Sequence, residues 1–191
     1  MSDNIFEKSV SALVFLLSLT IERIHFGTFA SAFFSWQRTD DNQYDVSGIT
    51  IVKNNRCNFR GTIDIVENRE FTHPTYGVDD SMKGQFRRRG CSIAKYNLEE
   101  ETSQTGSGVF TGYLLFYWYE TNDGKFVYDD IDSHSDSYCN NQYAGTWKSK
   151  KTKKSKPCAW GQYRVPNSGD LDIGAGDFSV NPKYAKNGWE K

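Results

Sequence analysis

The chain is poor in the residues that most catalytic and metal-binding proteins depend on. Of its 191 residues only three are histidine, His25, His73 and His134. No Gly-x-Ser-x-Gly, His-Glu-x-x-His or P-loop motif occurs, so the local signatures of a hydrolase elbow, a zinc protease and a nucleotide cradle are missing. The four cysteines, Cys57, Cys91, Cys139 and Cys158, include no CxxC pair, which removes the usual spacing of a structural zinc site. Net charge is −1, so there is no global bias toward nucleic acid or an anionic membrane. Proline is scarce, at four residues, and no segment has the composition of a disordered linker. The chain has no N-x-Ser/Thr sequon to mark a glycoprotein.

Long apolar runs are also absent. The most apolar stretch, residues 10–21 (VSALVFLLSLTI), is too short to span a bilayer as a helix but has the length of a signal-peptide core. Ala30-Ser31-Ala32 offers a small-x-small cleavage site. Against export stand Asp3 and Glu7 in the leading segment, and Glu22, Arg23 and His25 before the cut. Three readings compete: an export leader, a retained amphipathic helix through Phe6, Val10, Leu13, Leu17 and Ile24, and a membrane-surface anchor. The favoured organisation is a leader or apolar helix over 1–32 and one β domain over 33–191. It places the protein in an exported compartment, with the cytoplasm as the alternative.

Aromatic side chains and glycine are abundant: thirteen Phe, eleven Tyr, five Trp and sixteen Gly. That composition without long helical patterns points to antiparallel β structure. One motif recurs, a glycine inside an alternating apolar run, in YDVSGITIVKN, CNFRGTIDIVEN, MKGQFRRRGCSIAKY, GVFTGYLLFYWYE and NQYAGTWKSKK. In the second, Cys57, Phe59, Ile63 and Ile65 fall on one side, and Arg60, Thr62 and Asp64 on the other, the signature of a half-buried strand. A glycine within a strand marks a bend, a bulge or a close backbone approach. Turn signals separate the runs: Lys53-Asn54-Asn55-Arg56, Asn122-Asp123-Gly124, and the lysine run at 148–156. The expected fold is all-β, an antiparallel meander of about seven or eight strands forming a small barrel, with a β-sandwich as the alternative.

The elements Gly145-Thr146-Trp147, Phe110-Thr111-Gly112-Tyr113 and Phe59-Arg60-Gly61-Thr62 resemble the calycin group, the avidin-like and lipocalin-like barrels. In those families the Gly-x-Trp element opens the barrel, whereas here it lies late in the chain, so no ligand-binding residues are carried over. What the resemblance implies is an up-and-down barrel with room for an interior cavity.

Residues 110–119 are apolar or aromatic on both faces. A small hydrophobic or sugar ligand is therefore expected against this strand, at Tyr113, Tyr117 and Tyr119, with Trp147 and Trp160. The aromatics after it, Tyr163, Phe178, Tyr184 and Trp189, are read as pins holding an extended tail, with a flat-ligand platform as the alternative.

Six lysines, Lys148, Lys150, Lys151, Lys153, Lys154 and Lys156, invite a polyanion contact. No aromatic residue lies inside the run, so nucleic acid is not the expected partner. The plainer reading is a solvated hairpin tip whose charges block edge pairing. Residues 120–136 carry six acids and one lysine, and the two patches are expected to neutralise one another.

No cofactor is expected, with calcium the one candidate. Asp130, Asp132 and Asp136 alternate as oxygen ligands do in calcium loops, and Asp170, Asp172 and Asp177 form a second set among glycines. The first loop lacks the central glycine and closing glutamate of an EF-hand, and ordinary Asp and Gly turn chemistry is the plainer reading of both. Disulfides, if the chain is exported, are expected to join Cys139 to Cys158 and Cys57 to Cys91; otherwise the thiols pack as small hydrophobes. Catalysis is not expected. A carbohydrate-active alternative needs two carboxyls facing one cleft about 5–10 Å apart, drawn from residues 120–136 or from Asp64, Glu67 and Glu70.

Overall fold

The computed structural model describes residues 30–52, 55–187 and 189. Eight strands follow one another: β1 (Ala30–Arg38), β2 (Gln43–Val52), β3 (Asn55–Glu70), β4 (Phe86–Glu100), β5 (Gly108–Thr121), β6 (Phe126–Tyr128), β7 (Asn140–Ser149) and β8 (Ser155–Gln162). Short 3-10 turns occur at Val78–Asp80, Gly169–Leu171 and Pro182–Asn187. All pairings are antiparallel, in the order β1-β2-β3-β4-β5-β7-β8, with the short β6 paired to β5.

The all-β meander is what the alternating runs predict, and every run with an internal glycine becomes a strand. β1 is an addition. Ala30, Ser31 and Ala32, read as a cleavage site, pair with Val52, Ile51 and Thr50. The leader or helix expected before them lies outside the described residues.

Two expectations about closure are corrected. There is one sheet, not the two of a sandwich, and it does not close into a barrel: β1 pairs only with β2 and β8 only with β7. The inner face is sealed by side chains instead. Tyr44, Phe59, Ile63, Tyr96, Leu98, Phe116, Trp118, Tyr143 and Trp160 are all buried in one cluster fed by β2, β3, β4, β5, β7 and β8. Aromatic rings this large fill a strongly curled sheet without strand closure.

The strand glycines serve this core as places of close approach. Gly90 pairs with Trp118, and a Cβ there would stand 2.7 Å from the indole. Gly112 and Gly145 are register partners on β5 and β7, and the Tyr96 hydroxyl lies over both. Bulges fall elsewhere, at Ile65/Glu67, Phe86/Arg88 and Asn140/Tyr143.

The meander gives the molecule two poles. The β4–β5 and β7–β8 turns lie at one, and the β1–β2 turn, the β3–β4 connection and residues 129–139 at the other. Gly108 to Glu120 spans β5 from the first pole to the second, roughly 40 Å at the rise of a strand.

Candidate functional site

The lysine run is the turn of the β7–β8 hairpin. Its strands pair through Thr146↔Pro157, Trp147↔Lys156 and Lys148↔Ser155. The turn is closed by Ser149 N donating to the Lys154 carbonyl and Lys153 N donating to the Ser149 carbonyl, both at 3.0 Å. The Ser149 hydroxyl accepts from Thr152 N at 3.1 Å. Lys153 takes the left-handed conformation that such a tight turn requires, at φ 60°.

One of the six lysines differs from the rest. Lys150 folds back, half-buried, and its Nζ donates to the Glu100 carbonyl at 2.6 Å and to Thr102 Oγ1 at 2.8 Å. It also pairs with the Glu99 carboxylate at 2.6 Å. Lys148, Lys151, Lys153, Lys154 and Lys156 are exposed and form no ion pair among the described residues. Lys150 thus braces the turn on the β4–β5 connection, and the other five project from it.

Beneath the brace lies a buried carboxylate. Glu100 is 3% exposed and accepts hydrogen bonds from Thr50 Oγ1, from Gly108 N at 2.7 Å and from Trp147 Nε1 at 3.1 Å. One side chain therefore ties β2, β4, β5 and β7 together at the lysine pole. Each bond to a charged acceptor is stronger than its neutral counterpart. Cys57 lies beside it; burial, then the Glu100 charge, push its thiol pKa up.

The acidic segment sits at the opposite pole, which corrects the expectation that it neutralises the lysines. Its acids are met by arginines of β4. Arg88 pairs with Glu120 and with Glu70 at 3.4 Å. Arg89 pairs with Asp129 and, at 2.8 Å, with Asp132, and also donates to the Thr75 carbonyl at 3.0 Å. Arg89 is 6% and Asp129 1% exposed, so this is a buried pair; burial pushes the Asp129 pKa up even beside the guanidinium.

The same geometry bears on the calcium reading. Among the described residues no group of three or more His, Cys, Asp or Glu is placed to hold a metal ion. Asp132 is committed to Arg89 and Thr75, and Asp136 lies against Gly176. In the second set Asp170 accepts from Tyr184 at 2.7 Å and Asp172 pairs with Arg164 at 2.9 Å. Glu120 and Asp129 are sunk in separate arginine pairs.

The five residues expected to hold a ligand do not form one site. Trp160 is 1% exposed in the core and stacks on Tyr143, with ring centroids 4.6 Å apart. Trp147 faces the same interior, opposite Phe110. Tyr113, Tyr117 and Tyr119 occupy the outer face of β5. Tyr117 is covered by Phe71 at 6.0 Å and Tyr119 by Phe86 at 5.9 Å, while Tyr113 remains 54% exposed. Of the tail aromatics, Tyr163 lies edge-on to Tyr138 at 5.0 Å, while Phe178 packs on Trp189 at 5.5 Å and Tyr184 donates to Asp170, contacts within the tail, and Arg164 donates to the Gly174 and Gly176 carbonyls.

The expected disulfides are not made; all four cysteines are free. The register shows why. Cys91 lies opposite Arg69 on β3, twelve residues beyond Cys57, and Cys158 lies opposite Gly145, six beyond Cys139. At the rise of a strand these separations are roughly 40 and 20 Å, far beyond disulfide reach.

No known protein family, curated protein or solved structure matches the chain. The functional reading therefore rests on its own geometry.

Proposed function

We propose that this protein is a non-catalytic binding module that docks on the acidic surface of a partner protein through the β7–β8 hairpin. The supporting observation is the set of five exposed lysines, without an ion pair among the described residues, on a turn braced by Lys150 and Glu100, a strand's length away from the acidic segment 120–136. A rigid presentation lowers the ordering cost of association. Clustered positive charge steers an acidic partner and raises its on-rate. Nucleic acid fits less well, because no aromatic side chain stands among the lysines to stack on a base.

The test is chromatography of the full chain on immobilised poly-glutamate, with Lys151→Glu/Lys153→Glu/Lys154→Glu as the variant. The native protein is retained at low salt and released as salt rises, since exposed charge interactions are screened. The variant passes unretained with its unfolding midpoint unchanged. Co-elution of the two proteins removes the reading.

A further inference from the structure

A second surface, separate from the hairpin tip, covers the outer face of β2, β3 and β4. Two adjoining grooves of about 450 and 500 Å³ share the wall Arg60-Gly61-Thr62. Volumes of this size suit a small-molecule or oligosaccharide ligand. One groove runs past Asn97 and Glu99 to Lys150, the other past Asp45 and Ser47 to Gln37.

The register aligns the side chains of this face in rows that cross the strands. Thr146 pairs with Thr111, Thr111 with Asn97, Asn97 with Thr62, and Thr62 with Asp45. Adjacent members lie about 4.8 Å apart, the spacing of neighbouring strands. Thr146, Thr111 and Asn97 are exposed, and the Thr111 and Thr146 hydroxyls are 3.5 Å apart. Two residues along β5 from Thr111, on the same face, stands the exposed ring of Tyr113.

We infer that this face binds a neutral polysaccharide chain laid across the strands over Thr111, Asn97, Thr62 and Arg60, with a sugar ring on Tyr113. Hydroxyl and amide groups both donate and accept, as sugar hydroxyls do, so a row of them matches a chain of hydroxyls. The charges of the lining argue against an anionic ligand. Glu99 and Lys150 already satisfy one another at 2.6 Å. Among the described residues Arg60 forms no ion pair, and it and Lys150 share the lining with Asp45, Glu99, Glu100 and Glu101, so there is no positive excess to hold an anion. The exposed ring of Tyr113 suits the stacking of a sugar face.

Affinity electrophoresis of the full chain through gels holding amylose, xylan, mannan, galactan or soluble cellulose derivatives tests this. Roughly half-molar salt in a companion pull-down screens the hairpin lysines. The native protein is retarded by at least one of these polymers. Tyr113→Ala and Thr62→Ala/Asn97→Ala each weaken that retention about tenfold, the scale of one lost stacking or hydrogen-bonding contact. Lys151→Glu/Lys153→Glu/Lys154→Glu leaves it unchanged. Retention by none of the polymers overturns the inference, as does retention that survives the groove substitutions in variants whose unfolding midpoint is native.

Discussion

The rings of Tyr96 on β4 and Trp160 on β8 lie 5.3 Å apart, although β5 and β7 separate their strands. In a flat sheet, strands three positions apart are about 14 Å from one another. The contact therefore requires the sheet to curl until its inner face meets itself, and Phe110 joins it from β5 at 5.9 Å from Trp160. Trp160 is the keystone of this closure by side chains. Trp160→Ala is expected to cost about 3–5 kcal/mol in urea denaturation. Trp147→Ala, which removes a half-buried ring and one hydrogen bond to Glu100, costs less. Equal losses for the two would contradict this picture.

The same tyrosine explains why Gly112 cannot be replaced. A Cβ at Gly112 would meet the Tyr96 hydroxyl at 2.6 Å and the Cα of Gly145 at 2.6 Å. The first obstacle is a side chain, the second is backbone. Gly112→Ala is expected to destabilise by about 1–3 kcal/mol through overpacking. Adding Tyr96→Phe removes the hydroxyl but leaves the β7 backbone in the way, so the double variant is not rescued. Full rescue in equilibrium unfolding would show that the side chain alone sets the constraint.

This pairing marks how far the sequence could be read. Period-two alternation located the strands, as with Cys57, Phe59, Ile63 and Ile65, because it depends only on local geometry. The internal glycines were visible, but their purpose was not: Tyr96 over Gly112 and Gly145, and Trp118 against Gly90, are contacts set by register between strands. β1 is hidden in the sequence because its residues continue the apolar character of the segment before it. Of the candidate site, the exposed lysines were legible from composition. Glu100 was not, since a Glu-Glu-Glu run reads as a solvated turn, and its burial under Thr50 and Trp147 is a tertiary event. Trp147 and Trp160 read as neighbours of Tyr113 because no local signal fixes the facing of β7 and β8 relative to β5.

At the other pole, Arg89 and Asp129 form a buried pair whose loss is asymmetric. Arg89→Leu strands the carboxylate at a position 1% exposed. The expected cost is about 3–5 kcal/mol, and Asp129→Leu in the same chain recovers a large part of it, because a buried pair replaced by apolar groups is often neutral. Arg89 also holds Thr75 and Asp132, so the single variant is expected to loosen residues 71–85 and 129–139 together. Limited proteolysis reads this directly. Additive destabilisation by the two substitutions would mean that the residues do not act as a pair.

Alkaline pH probes the buried thiol of the core. Burial pushes the Cys158 pKa up to about 12 from an ordinary 9.0. Burial also raises Tyr96 and Tyr143 above their ordinary 10.0. These groups ionise in the unfolded chain before they ionise in the folded one. The unfolded state then binds fewer protons, and stability falls as pH rises. For Cys158 the stability is intact below pH 9.0 and is lost progressively up to about 12. The slope from this thiol is at most about 1.4 kcal/mol per pH unit. Cys158→Val, which fills a similar volume with nothing to ionise, is expected to flatten the decline between those limits while the tyrosine contribution above pH 10 remains. Unfolding free energies of the two proteins measured across that window decide the matter. Identical slopes would mean that Cys158 ionises in the folded state as easily as in the unfolded one.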